Sequence, residues 1–155
     1  MTIQLQFVLG SDFSSQAIAW FSQGHLSHVD AIMRDGQLLG ARDDEAGGQP
    51  PGVRIRPAGY AKFKQRLLMT IPANAEQDGR FYSFLWDQLG KPYDPSAIWG
   101  FVTGRNWREP DSWICSELVT AAGEAAGILP RLYLAANKIT PVACALAYSA
   151  AGGIA

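Results

Sequence analysis

Alternating polar and apolar positions in the first half of the chain predict an antiparallel sheet. Residues Ile3 to Val8 alternate with the two-residue period of a strand that has one buried face. The runs Ser27 to Met33 and Gln37 to Ala41 flank Asp35-Gly36, a dipeptide typical of a two-residue hairpin turn. Two shorter runs predict the remaining strands, Val53 to Arg56 and Lys64 to Ile71.

Apolar residues at helical spacing predict helices in the second half. Phe81 and Leu85 belong to such a series after Asn74, which is a cap candidate. A second helix is expected over Trp113 to Ala126, opened by Asp111 or Ser112. A third is expected after a Thr-Pro pair at positions 140 and 141, with the threonine as the cap.

The order of these elements predicts the fold class. Strands come first and most of the helices follow, apart from a short helix expected from Ser14 or Ser15 through Phe21. This order is typical of an α+β protein with an antiparallel sheet packed against helices. A chain of 155 residues is also close to the usual size of one domain, so we expect a single domain over residues 1–155.

Composition and charge exclude several classes of function. Hydrophobic residues make up 48% of the chain and charged residues 17%, which is an ordinary balance for a globular protein. A formal net charge of −1 gives no electrostatic case for binding nucleic acid or an anionic membrane. No apolar stretch reaches about 18 residues, and no basic or apolar leader opens the chain. We therefore expect no transmembrane segment, no signal peptide and a cytoplasmic or phage-associated location.

Cys115 is the candidate nucleophile because it lies at the predicted start of a helix. With Ser112 as the N-cap, Cys115 falls in the first turn, where unpaired backbone N–H groups and the helix dipole favour a thiolate. The same N–H groups could hold an oxyanion. The alternative is a buried cysteine that only packs, which is how we interpret Cys144 in the apolar segment VACALAY.

His28 is the candidate general base because its predicted strand would hold the imidazole on rigid backbone, whereas His25 is expected in a solvated loop. If the Asp-Gly dipeptide alone forms the hairpin loop, His28 faces Asp43 on the next strand, where a carboxylate could orient the ring. A bulge would move the partner to Asp44, and a longer loop would remove the argument. Asp30 shares the face of His28 but is displaced along the same strand, so we expect it to be the poorer partner. The other interpretation is a purely structural hydrogen bond.

Three segments, LGKPYD, DSWICSELV and SHVDAIM, resemble motifs of the NlpC-type cell-wall peptidase superfamily in its circularly permuted papain-like branch. In the unpermuted family, a Gly-x-Pro-Tyr segment precedes the cysteine that opens a helix, and the histidine strand follows. Here Gly90, Pro92 and Tyr93 precede Cys115, but the histidine strand comes first. That order is typical of the permuted branch, which includes lecithin–retinol-acyltransferase-like enzymes.

The resemblance implies a permuted papain-like fold in which Cys115 attacks, His28 is the base and Asp43 orients it. Tyr93 matches the tyrosine that lines the site, and Trp113 is a candidate wall of a substrate groove. The implied activity is that of an amidase or peptidase, which hydrolyses a peptide or another acyl substrate through an acyl-enzyme. Cell-wall peptide is among the substrates it implies. No metal and no other cofactor is required.

Other functions remain open. A binding or assembly module, in a phage or cell-wall context, could keep the same fold without catalysis, and a thiol-dependent acyltransferase is a further possibility. A zinc site built from His25, His28, Cys115 and a carboxylate lacks local ligand spacing. Arg105 and Arg108 could receive a substrate carboxylate, but we interpret them as solvated loop residues.

Overall fold

The computed structural model describes residues 1–10, 24–96, 111–131 and 139–155. The expected short helix through Phe21 and the two arginines at positions 105 and 108 lie outside these ranges. Within them, no helix is long and apolar enough to cross a membrane.

Five strands of the described residues form one antiparallel sheet. They are β1 (Thr2–Gly10), β2 (His28–Ile32), β3 (Leu38–Arg42), β4 (Gly52–Arg56) and β5 (Phe63–Pro72). The sheet order is β4-β3-β2-β1-β5, so the first strand of the chain lies between the second and the last. The β2–β3 hairpin therefore lies inside the sheet, where neighbouring strands on both sides hold it rigid.

The helices of the described residues are α1 (Ala75–Asp87), α2 (Cys115–Ala125) and α3 (Pro141–Ala150). Asn74 caps α1 through a capping box with Gln77, and Thr140 caps α3 ahead of a proline at its first position. Both caps agree with the sequence. The start of α2 differs, because its N-cap is Ile114 rather than Asp111 or Ser112.

The core lies between one face of the sheet and the helices. Alternate residues of the three inner strands point into it and are buried, together with apolar residues of α1 and α2. The strand members are Ile3, Leu5, Phe7, Val29, Ala31, Leu39 and Ala41, and the helix members include Phe81, Leu85, Leu118 and Val119. The predicted fold class, α+β with an antiparallel sheet packed against helices, is confirmed.

The register of the β2–β3 hairpin differs from the sequence prediction by one residue. Ala31 pairs with Leu39 and Ile32 with Leu38, instead of the expected Leu39 opposite Ile32. The reason is a three-residue loop between Met33 and Gln37, in which Gly36 has a φ of 81°. A glycine in this left-handed conformation is typical of a three-residue hairpin loop, and it shifts every facing pair.

Candidate active site

His28 is held by a carboxylate from its own strand. Its Nε2 atom lies 2.8 Å from Oδ1 of Asp30, and both residues are buried, at 7% and 0% exposed. Alternate residues of a strand project to the same face, so the two side chains leave the backbone side by side. A carboxylate at this distance fixes the orientation of the imidazole and favours its protonated form.

Gly40 on β3 makes room for the carboxylate of Asp30. A Cβ atom at position 40 would overlap Oδ1 of Asp30, and it would lie 3.1 Å from Cγ of the same residue and 3.3 Å from the backbone oxygen of Val29. Because both β2 and β3 are held in the sheet, the backbone has little freedom to move away. The contact between Asp30 and His28 therefore depends on a missing side chain on the neighbouring strand.

Cys115 is the first residue of α2, two positions closer to the helix start than the sequence predicted. Its N-cap residue, Ile114, has no side-chain oxygen, so no capping side chain from that position occupies the first N–H groups of the helix. Helix α2 packs against β2 and β3. Cys115 is among the groups whose interactions raise the pKa of His28, and each of the two is the first residue of its element.

The protonation of His28 reflects both neighbours. Burial by itself lowers the pKa of His28, but the charges of Asp30 and Cys115 and hydrogen bonds with both groups raise it to about 9. Burial likewise disfavours the charged form of Asp30. The positive charge of His28, with hydrogen bonds from His28 and Tyr60, nevertheless lowers the pKa of Asp30. At neutral pH the pair is therefore an imidazolium and a carboxylate.

Tyr93 lies in the electrostatic neighbourhood of Cys115. A short parallel bridge joins Tyr93 to Trp113, and the backbone N–H of Trp113 donates to the oxygen of Pro92 at 3.1 Å. Burial raises the pKa of Tyr93 well above its usual value, and the negative charges of Cys115 and Asp43 act in the same direction. The sequence predicted this proximity to the cysteine, whereas a contact between Tyr93 and a substrate stays a prediction.

The assignment of Asp43 as the residue that orients His28 is corrected. Its argument depended on a two-residue hairpin loop, and the three-residue loop brings Arg42 rather than Asp43 opposite His28 when the register is extended. Asp43 is exposed, and Asp44, the alternative, accepts two hydrogen bonds from Arg42 at 2.6 and 2.9 Å. The carboxylate on Nε2 of His28 is that of Asp30.

The structure also adds Tyr60, from the connection between β4 and β5, to the site. Its hydroxyl donates to Oδ2 of Asp30 at 2.9 Å and lies 3.2 Å from Nε2 of His28. No sequence pattern indicated this contact, because position 60 lies in a turn without periodicity. The sequence does contain a signal for Asp30, because a charged residue within the apolar run VDAI needs a partner if it is buried.

Trp113 and Cys144 are packing residues of the core. The indole Nε1 of Trp113 donates to Oε1 of Gln88 at 3.1 Å, and its ring meets the edge of Phe84 with centroids 5.9 Å apart. These contacts place Trp113 in the core, and its role as a wall of a substrate groove stays a prediction. Burial raises the pKa of Cys144 to about 12, and its sulfur accepts a hydrogen bond from Thr120, which agrees with the packing role expected from the sequence.

No family model matches the chain, and no curated protein matches it. Among solved structures, the chain is similar to a crystal structure described as metalloprotein yiiX, DUF1105, from Escherichia coli O157:H7. The sequence identity is 21% and the TM-score is 0.59. The match covers 81% of this chain but only 66% of that chain. At this identity the likeness concerns the fold alone.

This finding corrects the family expected from the sequence. The three short motifs predicted a permuted cell-wall peptidase, yet no family model matches, and the similar structure is described as metalloprotein yiiX, DUF1105. The motifs together cover too few positions to define a family. What remains is the geometry around Cys115, His28 and Asp30.

The described residues do not fit a metal centre of the kind that the description of yiiX suggests. In the ranges that the structure describes, no three His, Cys, Asp or Glu side chains are grouped so that they could hold a metal ion. Nε2 of His28, the atom that could otherwise act as a ligand, is bound to Asp30 and lies 3.2 Å from the hydroxyl of Tyr60. The chemistry that these residues support is that of the thiol and the imidazole.

Proposed function

We propose that the protein is a cysteine-dependent acyl-transfer hydrolase in which Cys115 attacks, His28 carries the proton and Asp30 orients His28. The observation that supports this most directly is the position of the imidazole between two partners. Nε2 is bound to a carboxylate at 2.8 Å, and Cys115 at the start of α2 is among the groups that raise the pKa of the same ring. A nucleophile beside a base, with a third group that orients the base, is the arrangement that activates a thiol.

The proposed reaction proceeds in two steps. In the proposed starting state His28 holds the proton of the Cys115 thiol, and the thiolate sulfur bonds to the carbonyl carbon of an amide, ester or thioester. The bond to the leaving group then breaks, and the leaving group takes the proton from His28. Water attacks the acyl-enzyme while His28 accepts one of its protons, the carbon–sulfur bond breaks, and the sulfur leaves as a thiolate beside the protonated His28, which restores the starting state.

Two features of the site fit this sequence. Cys115 is the first residue of α2, and the N–H groups of a first helical turn can donate to an oxyanion. Asp30 raises the pKa of His28, which favours an ion pair between the imidazolium of His28 and the thiolate of Cys115. The substrate class that follows from this chemistry is a compound with an activated or peptide-like carbonyl group.

The rates at which iodoacetamide alkylates the two cysteines test the proposal. At neutral pH we expect Cys115 to react at least about tenfold faster than Cys144, because only Cys115 has a partner that accepts its proton. The variant His28→Ala should lose most of this difference, whereas His25→Ala, the matched control at an exposed loop position, should keep it. Peptide mapping by mass spectrometry measures both rates in one sample.

A second measurement tests acyl transfer itself. With p-nitrophenyl acetate, we expect a burst of nitrophenolate and an acetyl group on Cys115, and neither in Cys115→Ser. Equal, slow alkylation of both cysteines together with no acetylated Cys115 would contradict the proposal.

One observation favours a second function, a binding module that keeps the site without catalysis. Cys115 is only 4% exposed and belongs to the apolar core cluster. In that case the contacts of His28 stabilise the fold, and His28→Ala lowers the free energy of unfolding while Cys115 stays unreactive in the unmodified protein. The alkylation experiment therefore separates the two functions.

A further inference from the structure

Tyr60 completes a closed hydrogen-bond network with His28 and Asp30. Its hydroxyl oxygen lies 2.9 Å from Oδ2 of Asp30 and 3.2 Å from Nε2 of His28. Oδ1 of Asp30 is bound to the same Nε2 atom at 2.8 Å. Each oxygen of the carboxylate thus has a partner of its own, and the plane of the carboxylate is fixed relative to the ring.

The direction of each hydrogen bond follows from the charges. Burial raises the pKa of Tyr60 well above its usual value, and the negative charge of Asp30 acts in the same direction, so the hydroxyl keeps its proton. That proton goes to Oδ2 of Asp30, since the carboxylate can only accept. Nε2–H of His28 then donates to Oδ1. Every donor meets an acceptor, so the network is self-consistent.

Two arginines hold the ring of Tyr60 in place. The guanidinium of Arg42 lies 5.3 Å and that of Arg56 lies 5.8 Å from the ring centroid. Nη1 of Arg42 also donates to the Tyr60 hydroxyl at 3.2 Å. Gly47 closes the site from another side, since a Cβ atom there would lie 2.9 Å from Cβ of Tyr60. The hydroxyl therefore has little freedom to move away from Asp30.

We propose that Tyr60 is a positioning residue, which acts on Cys115 through Asp30 and His28 without touching the substrate. The inference rests on the proposed function, since positioning matters for a reaction only if Cys115 reacts. Without the hydroxyl, Oδ2 of Asp30 loses a partner in a buried site, and the carboxylate can rotate away from the imidazole. The ring of His28 then no longer faces the thiol in one orientation.

The variant Tyr60→Phe tests this inference, because it removes the hydroxyl and keeps the ring contacts with both arginines. We expect the rate of Cys115 alkylation by iodoacetamide to fall about tenfold, the size of a lost hydrogen bond to a charged group. With p-nitrophenyl acetate, kcat should fall by a similar factor while KM is unchanged. The nitrogen NMR shift of His28 Nε2 should change, because its hydrogen-bond partner has moved.

Tyr82→Phe is the matched control. Its hydroxyl also donates to β2, at the backbone oxygen of Ile32 over 2.8 Å, but it lies outside the network of Asp30. We expect this variant to keep the alkylation rate and the Nε2 shift. If Tyr60→Phe behaves like Tyr82→Phe in both, the inference is overturned.

The nitrogen shift separates this inference from the proposed function. If the unmodified protein shows no preferential alkylation of Cys115 while Tyr60→Phe still shifts the Nε2 resonance, the hydrolase proposal fails and the positioning of His28 by Tyr60 stands. If the resonance is unchanged while Cys115 reacts fast in both proteins, the hydrolase proposal stands and the role of Tyr60 is wrong. Unfolding curves for each variant check that the fold is kept.

Discussion

At the scale of single residues, the site depends on a few contacts between neighbouring strand residues. Asp30 reaches His28 along the same strand, over 2.8 Å, and Gly40 on the next strand leaves the volume that the carboxylate fills. Neither contact needs a loop or a distant element. The contact between carboxylate and imidazole therefore forms within the sheet, and Tyr60 from the β4–β5 connection binds the other carboxylate oxygen.

Gly40→Ala should disturb this arrangement directly. The added methyl group would overlap Oδ1 of Asp30, so the carboxylate must leave the imidazole or the strands must separate. We expect a loss of about 1–3 kcal/mol in the free energy of unfolding, the usual cost of overpacking. Urea unfolding measures this loss, and iodoacetamide alkylation should show a slower Cys115. Unchanged stability and an unchanged rate would show that the carboxylate has room elsewhere.

The sequence predicted some of these residues and not others. Cys115 and His28 were identifiable because a helix start and a strand are visible in the hydrophobic pattern. The partner of His28 was not, since a single extra loop residue at Gly36 changes which carboxylate faces it. Tyr60 had no signal at all, because a turn residue acquires its neighbours only from the path of the whole connection.

At the scale of elements, helix boundaries determine what a residue can do. Cys115 is the first residue of α2, and the preceding Ile114 contributes no capping oxygen to the N–H groups of the first turn. By contrast, Asn74 and Gln77 bind the free backbone groups at the start of α1. The start of α1 thus has a capping box, whereas the N-cap residue of α2 has no capping side chain.

Helix α1 contains a glycine whose replacement should stabilise the protein. Gly79 lies in its interior, and a Cβ atom there would meet nothing within 4 Å. Gly79→Ala should therefore raise the free energy of unfolding by about 1 kcal/mol, the difference in helix propensity. The matched control is Gly36→Ala, where the φ of 81° disfavours alanine and stability should fall. The urea midpoints of the two variants are compared with that of the unmodified protein. A less stable Gly79→Ala would contradict the finding that a Cβ atom at position 79 has free space around it.

At the scale of the whole molecule, the site joins parts of the chain that are distant in sequence. The hairpin supplies His28 and Asp30, the β4–β5 connection supplies Tyr60, and the start of α2 supplies Cys115. The elements themselves were predictable from hydrophobic periodicity, apart from their exact ends. Their meeting point was not, because it depends on sheet order and on how α2 packs against β2 and β3.

Proton binding at His28 should appear in the stability of the whole molecule. Its pKa is raised from 6.5 to about 9, so the folded protein binds the proton more tightly than the unfolded chain does. The stabilisation is complete below pH 6.5 and is lost as the pH rises through about 9. The free energy of unfolding, measured by urea titration across this interval, should fall with pH in the unmodified protein.

Asp30→Asn should flatten that dependence, because the carboxylate charge that raises the pKa of His28 is gone while Cys115 and Tyr60 remain as neighbours. His25→Gln, which changes the other histidine, should keep the slope of the unmodified protein. If Asp30→Asn and the unmodified protein lose stability in parallel between pH 6.5 and 9, His28 is not the group responsible.

The hydrogen bonds of Arg56 limit which changes the connection between β3 and β4 can tolerate. This fully buried guanidinium donates to the backbone oxygens of Gly40, Ala46, Pro50 and Gly52. These hydrogen bonds go to backbone oxygens, so they do not depend on the side chains of the residues that accept them. The path of the segment between β3 and β4 is therefore under strict constraint, whereas the identity of residues such as Ala46 can drift among related chains. A lysine at position 56 could not replace the planar fork that reaches all these oxygens at once.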